Sequence, residues 1–201
     1  MRRIADLLDR LAGLFRRFRA ANEAVAAVEF ALVLPLMLTM YLGSSELSQL
    51  INVDQRVTVT AGTIGDLVSR EKNEITADEL TDYFQASTAI LSPFSTSNLK
   101  QTVTLVSVDS ATGKVTVKWS QGYNGGRTFS TGDFPVSHVL PAQMISLVQN
   151  AASPYMVISE ASYTFQPLLG LFFNHSFLLY HQSFYLPRYP TIICYNTATC
   201  S

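Results

Sequence analysis

Cysteine is nearly absent from these 201 residues: Cys194 and Cys200 are the only two. Two thiols cannot staple a disulfide-built scaffold or fill a four-cysteine zinc site. Histidine is almost as scarce, at His138, His175 and His181. His175 and His181 stand six positions apart in an alternating stretch, about 20 Å in a regular strand, too far to share a metal. His138 belongs to another stretch, and no cysteine or carboxylate stands at ligand spacing beside any of the three. No metal and no cofactor is therefore expected. Charge is sparse too, with 14% charged residues and a formal net charge of −1. Six arginines (Arg2, Arg3, Arg10, Arg16, Arg17 and Arg19) fall within residues 1–23, leaving eight basic and twelve acidic residues for the rest. A nucleic-acid binder needs a basic face on its folded part, and this distribution excludes one.

What the chain does have is a long apolar run. Residues 24–43 read AVAAVEFALVLPLMLTMYLG. As a helix they rise about 30 Å, the thickness of a bilayer core. The arginines flank only the N-terminal side, so the positive-inside rule places residues 1–23 in the cytoplasm and the chain after Gly43 across the membrane. A secretory signal peptide has a short basic region, an uncharged apolar core and a small-residue cleavage site. Here the basic region is long, the run contains Glu29 and Pro35, and no A-x-A site follows Tyr41. The run is expected to stay as an anchor. Ile4, Leu7, Leu8, Leu11, Leu14, Phe15 and Phe18 recur at helical spacing. They describe either an amphipathic helix on the inner membrane surface or a plain helical leader.

Glu29 is the unusual residue of the run. A carboxylate at the centre of a membrane helix costs about 2.5–3.5 kcal/mol on insertion scales, and less near an end. Glu29 lies within two turns of the N-terminal boundary. It either snorkels to the interface or meets a cation on a neighbouring helix.

Beyond Gly43 the pattern predicts an α+β domain over residues 44–201, hung on the long N-terminal helix. A second helix is expected from about Glu46 to Arg70, interrupted near Gly62 and Gly65. Thr76 and Glu79 form a capping box for a further helix, with Leu80, Tyr83, Phe84 and Ser87 as its buried stripe and Pro93 as its end. From Lys100 the period changes to two. Val103 and Leu105 alternate with threonines, Asp109–Gly113 supplies a turn, and Val115, Val117 and Trp119 are expected to share one face of the return strand. Residues 121–131 read as an exposed loop. Pro141 opens a short helix over 142–150. Residues 155–165 and 176–186 are two aromatic-rich strand candidates.

The segment Glu23-Ala24-Val25-Ala26-Ala27-Val28-Glu29-Phe30, then Pro35 and Gly43-x-x-Glu46-Leu47, closely resembles the start of TadE/TadG-like proteins of the Flp-type tight-adherence pilus systems. Stretches at Gln55–Arg56, Gly65–Ser69, Ile75–Leu80, Ile90–Phe94, Glu160–Phe165 and Pro187–Arg188 are similar to later segments of that family. The resemblance implies a pseudopilin-like membrane protein of the bacterial inner membrane, with its folded part in the periplasm and other pilus subunits as partners. It also implies a cleavage position for a prepilin peptidase. Ala24 stands where processed members usually have Gly, so Val25 would become the first residue and Glu29 the fifth. TadG-like members also occur uncut, and the chain is either processed there or kept whole. Glu29, Phe30 and Pro35 would serve helix assembly, with Glu29 pairing to the freed amine of an adjacent subunit.

No catalytic constellation emerges. Ser97-x-x-Lys100 matches a nucleophile-and-base pattern that belongs at the start of a helix, but here it feeds a strand. Gly122–Arg127 lacks the Gly-Lys-Ser/Thr of a phosphate cradle. Cys194 and Cys200 either form a disulfide in an oxidising compartment or stay apart on a loose tail. The late aromatics, Phe172 to Tyr195, are expected mainly in the core, with any exposed ones free for a subunit contact. Three readings result: a non-catalytic pilus-assembly component, a membrane-tethered periplasmic sensor or small-molecule-binding module, and a tethered enzyme. The missing catalytic set weighs against the third, and the membrane carboxylate favours the first.

Overall fold

The structure, a computed structural model, describes Gly13 and residues 22–135, 140–167 and 175–196. The amphipathic pattern of residues 4–18, His138, Phe172, Phe173 and Cys200 lie outside the described residues. The chain divides into two compact units, one up to Ser48 and the other from Gln49. The fold is α+β, a long N-terminal apolar helix followed by helices and an antiparallel sheet.

Helix α1 runs Asn22–Ser69 without a break. The expected interruption at Gly62 and Gly65 does not occur. These glycines instead admit the sheet: a Cβ at Gly65 would lie 2.5 Å from both Ser159 Oγ and Tyr185 Cδ2, and one at Gly62 would lie 3.3 Å from the Tyr185 hydroxyl. Ser159 Oγ, in turn, donates to the Ala61 carbonyl at 2.7 Å. Glycine costs helix propensity, but here packing of helix against strand outweighs it.

After α1 come β1 (Glu74–Ile75), α2 (Ala77–Thr88), a 3₁₀ turn (Ala89–Leu91), β2 (Leu99–Val108), β3 (Val115–Tyr123) and β4 (Gly132–Asp133). Then follow α3 (Ala142–Gln149), β5 (Tyr155–Phe165), β6 (Phe177–Tyr185) and β7 (Cys194–Tyr195). The Thr76–Glu79 capping box is formed in both directions, and Leu80, Phe84 and Ser87 are buried on α2 as their spacing predicts. Asp109 turns the β2–β3 hairpin, its Oδ1 accepting the Ala111 and Thr112 amides.

Five strands form one sheet in the order β4-β3-β2-β5-β6, every pair antiparallel. Its inner face packs on the C-terminal half of α1 and on α2. Val53, Val57, Ala61, Ile64 and Val68 repeat every three or four residues along α1 and are buried. They join Leu80, Phe84, Val103, Leu105, Val157, Ala161 and Tyr163 in two adjoining core clusters. Gln101 ties α2 to the sheet through Ser87 and Thr88, at 2.9 and 2.8 Å.

Two details depart from the strand pattern. The register of β2 on β3 shifts between Leu105 and Val106, where Lys118 is the extra residue. This bulge puts Val115 and Val117 on the outer face, with Val106 and Ile158, and leaves Trp119 on the inner face. The three residues therefore do not share a face, because one inserted residue inverts the alternation beyond it. Strand β3 also extends to Tyr123, so the expected loop starts only at Asn124.

The C-terminal segment returns to the end of α1. Strand β7 pairs in parallel with β1, Glu74 opposite Cys194 and Ile75 opposite Tyr195. Trp119 Nε1 donates to the Ile193 carbonyl at 2.7 Å. The Arg188 amide donates to the Ser69 carbonyl at 2.9 Å, and its guanidinium reaches Asp66 Oδ1 at 3.1 Å. Asp66 also accepts from Arg70. The Arg70 hydrogen bond does most to hold the Asp66 carboxyl below its ordinary 3.8; burial opposes it, and the Arg188 hydrogen bond and the two positive charges add to the lowering. A carboxyl lowered in the fold contributes stability above its unfolded value and loses it as pH falls through the folded one. Asp66→Asn is therefore expected to melt slightly below the parent at neutral pH. The two should converge as pH falls below the ordinary carboxyl range and through the lowered value of the fold, which thermal melts from neutral to acid pH check.

Candidate functional site

The N-terminal half of α1 is apolar on every side. Residues 25–41 are all exposed, among them Val25, Phe30 (63%), Leu32 (72%) and Tyr41 (70%). An amphipathic helix of a soluble domain hides one stripe, whereas a helix apolar all round needs lipid or other helices around it. By length and composition this is the one described helix apolar enough to cross a membrane. Pro35 lies inside it and removes one backbone donor. Thr39 Oγ1 donates to the Leu36 carbonyl one turn later, at 2.7 Å. Such losses are tolerated in membrane helices, where neighbours re-satisfy the freed groups.

Glu29 stands on this exposed stretch, and among the described residues it has no ion pair. Phe30 and Pro35 share the same helix. Ala24 and Val25, the implied cleavage position, fall in its first turn, and the backbone there is helical. Another carboxylate of α1, Glu46, carries no site signal in the sequence beyond its place in the Gly43-x-x-Glu46 motif. It is 2% exposed, and among the described residues neither of its carboxylate oxygens has a hydrogen-bond partner. Cys194 is buried in β7 and is not a free thiol, while Cys200 lies outside the described residues.

The second unit presents its own concave surface. On the outer face of the sheet, Val106, Val117, Phe129, Leu140, Val148 and Ile158 form a core cluster beneath α3. The other half of that face is uncovered and polar. Strand register sets Lys100, Ser162 and Tyr180 in one cross-strand row and Thr102, Glu160 and Gln182 in the next. Glu160 is 5% exposed and accepts from the Tyr180 hydroxyl and, at 3.4 Å, from Gln182. Partial burial does most to push the Tyr180 phenol far above its ordinary 10.0, the Glu160 bond adds to this, and the charge of Arg127 opposes it. The phenol thus keeps its proton and donates.

The loop after β3 overhangs these rows. Asn124 adopts φ of 52° and donates its side-chain amide to the Ser97 and Leu99 carbonyls at 2.9 and 2.8 Å. Gly126 lies directly on β2, where a Cβ would meet the Gln101 carbonyl oxygen at 1.9 Å. The glycine-rich stretch is thus a pinned loop. Ser97 shares a hydrogen bond with Ser95 at 2.9 Å, and Lys100 lies on the strand, so the S-x-x-K pattern makes no nucleophile–base pair. Of the late aromatics, Phe177, Phe184, Tyr185 and Tyr195 pack on the core, whereas Tyr180 (45%) and Tyr189 (42%) stay largely exposed.

No curated protein and no solved structure matches the chain. Residues 24–63, which hold Glu29, Phe30, Pro35 and Glu46, match the family of TadE-like proteins.

Proposed function

We propose that the protein is a non-catalytic, membrane-anchored component of Tad/Flp-type pilus assembly, acting as a minor pilin or assembly-platform subunit through helix and domain contacts. The observation that carries this reading is Glu29, a carboxylate with no ion pair among the described residues, on a stretch of α1 whose apolar surface is exposed on all sides and lies within the TadE-like match. A plain tether gains nothing from such a group. Packed membrane helices can use it, because opposite charges attract strongly where water is scarce.

In this reading residues 1–23 lie in the cytoplasm, α1 crosses the inner membrane and the sheet domain faces the periplasm. A prepilin peptidase cutting after Ala24 would free the Val25 amine, which a neighbouring subunit's Glu29 can meet. A disulfide between Cys194 and Cys200 suits the oxidising periplasm. A tethered binding module, the second reading, has the uncovered outer face of the sheet behind it, and one subunit can combine both roles.

Glu29→Ala is expected to leave expression and membrane insertion intact while abolishing incorporation into the pilus machinery. Pilus counts by electron microscopy, with immunoblots of membranes, check it. Normal piliation with the alanine would overturn the reading. N-terminal sequencing of the membrane-extracted protein separates its two forms: a start at Val25 marks a processed pilin, a start at Met1 a permanent anchor.

A further inference from the structure

We infer that the uncovered half of the sheet's outer face is a binding site for an acidic saccharide, seated between Lys100, Arg127 and Tyr180. The concavity there measures about 660 Å³, within the roughly 300–1,000 Å³ of ligand pockets. It is preformed. Its floor is made of strands β2, β5 and β6, and its overhang is held by the Asn124 amide and by the seat of Gly126 on β2. With that backbone frame fixed, only side chains such as Lys100 have to order on binding, which limits the entropic loss.

Its chemistry narrows the ligand. Among the described lining residues two cations, Lys100 and Arg127, stand with one carboxylate, Glu160; Arg127 and Glu160 are already engaged, and the net positive charge favours one negative group, met by Lys100. Lys100 makes no ion pair among the described residues and is exposed. Ser162, Thr164 and Thr102 offer hydroxyls that both donate and accept, which suits a partner rich in hydroxyls. Leu178 and the Tyr180 ring give one apolar wall for a C–H face. A sugar bearing one carboxylate has all three features. A peptide strand is disfavoured at the centre of the site, because β2 and β5 are each paired on both sides and the only open backbone of the floor is the outer edge of β6. A nucleotide is disfavoured by the single excess charge and by the absence of a described helix N-terminus among the lining residues.

The inference does not rest on the pilus reading, since all these residues belong to the unit from Gln49 on. The test is calorimetric titration of the full chain in detergent with a galacturonate trimer, with maltotriose as the neutral match and acetate as the simple anion. The acidic trimer should bind, and maltotriose and acetate should bind at least about tenfold more weakly. Lys100→Ala should weaken the trimer by about tenfold at an unchanged melting temperature, the loss expected for one charge-assisted hydrogen bond. Should that variant melt early, Lys100→Gln is measured in its place. No binding of the trimer, equal binding of maltotriose or acetate, or undiminished binding by the Lys100 variant would each overturn the assignment.

Discussion

Trp119→Ala is expected to destabilise the sheet domain by about 3–5 kcal/mol, the range for truncating a buried aromatic. Trp119 is 2% exposed and packs within the cluster of Phe84, Val103, Leu105 and Ile193. Its ring lies 5.8 Å from that of Tyr195. Truncation would open a cavity between β3 and the returning C-terminal segment and leave the Ile193 carbonyl without its donor. Trp119→Phe separates the two effects. It keeps most of the apolar volume and loses the hydrogen bond, so its cost should fall to about 1–3 kcal/mol. Urea unfolding of both variants measures the difference. Amide exchange should also rise at Cys194 and Asn196, whose amides donate to Asn73 and Ile75 at 2.8 and 3.1 Å. An alanine variant as stable as the parent would show that Trp119 does not clamp this segment.

Gly65→Val is the second large effect, expected at about 3 kcal/mol of destabilisation through overpacking. The new Cβ would sit 2.5 Å from Ser159 Oγ and from Tyr185 Cδ2, and the tyrosine lies on the edge strand β6. Relief requires the helix to move off the sheet or Ser159 to give up its bond to Ala61. The neighbouring position provides the contrast. At Gly62 the added Cβ meets the Tyr185 hydroxyl at 3.3 Å and, at an ordinary 4.0 Å, Ser183 Oγ. Alanine there recovers up to about 1 kcal/mol of helix propensity, so Gly62→Ala should be close to neutral. Thermal melts of the two variants side by side decide the matter. Equal behaviour would mean that the glycines relax the helix and do not admit the sheet.

Much of this architecture is legible in short windows of sequence. The Thr76–Glu79 box, the Asp109–Gly113 turn and the alternation through Val103 and Leu105 each involve residues a few positions apart. The interactions they specify form within those windows. The apolar run at 24–43 is legible for a similar reason, since composition and length alone make a helix that lipid can surround. The TadE-like match begins on that same run and continues to residue 63.

Other features depend on residues far apart and leave no local trace. Gly62 and Gly65 look like a break until Tyr185, some 120 positions later, is seen against them. The bulge at Lys118 is a matter of how β3 registers on β2, and it reverses the faces of Trp119 and Val117. Strand β7 is two residues long and exists because β1 lies beside it. The polar pocket is assembled from alternate positions of three strands and a loop. In the sequence its Lys100, Glu160 and Tyr180 are ordinary surface residues of separate elements.

The sequence by itself determined the apolar membrane-length helix, its single carboxylate at Glu29, the capped second helix and the hairpin, because each arises from contacts within a turn or a strand pair. Only the tertiary structure decided that α1 runs unbroken into the domain, which face Trp119 takes, and where Lys100, Glu160 and Tyr180 meet. Those outcomes depend on register and on close packing between distant segments, and both are properties of the assembled core.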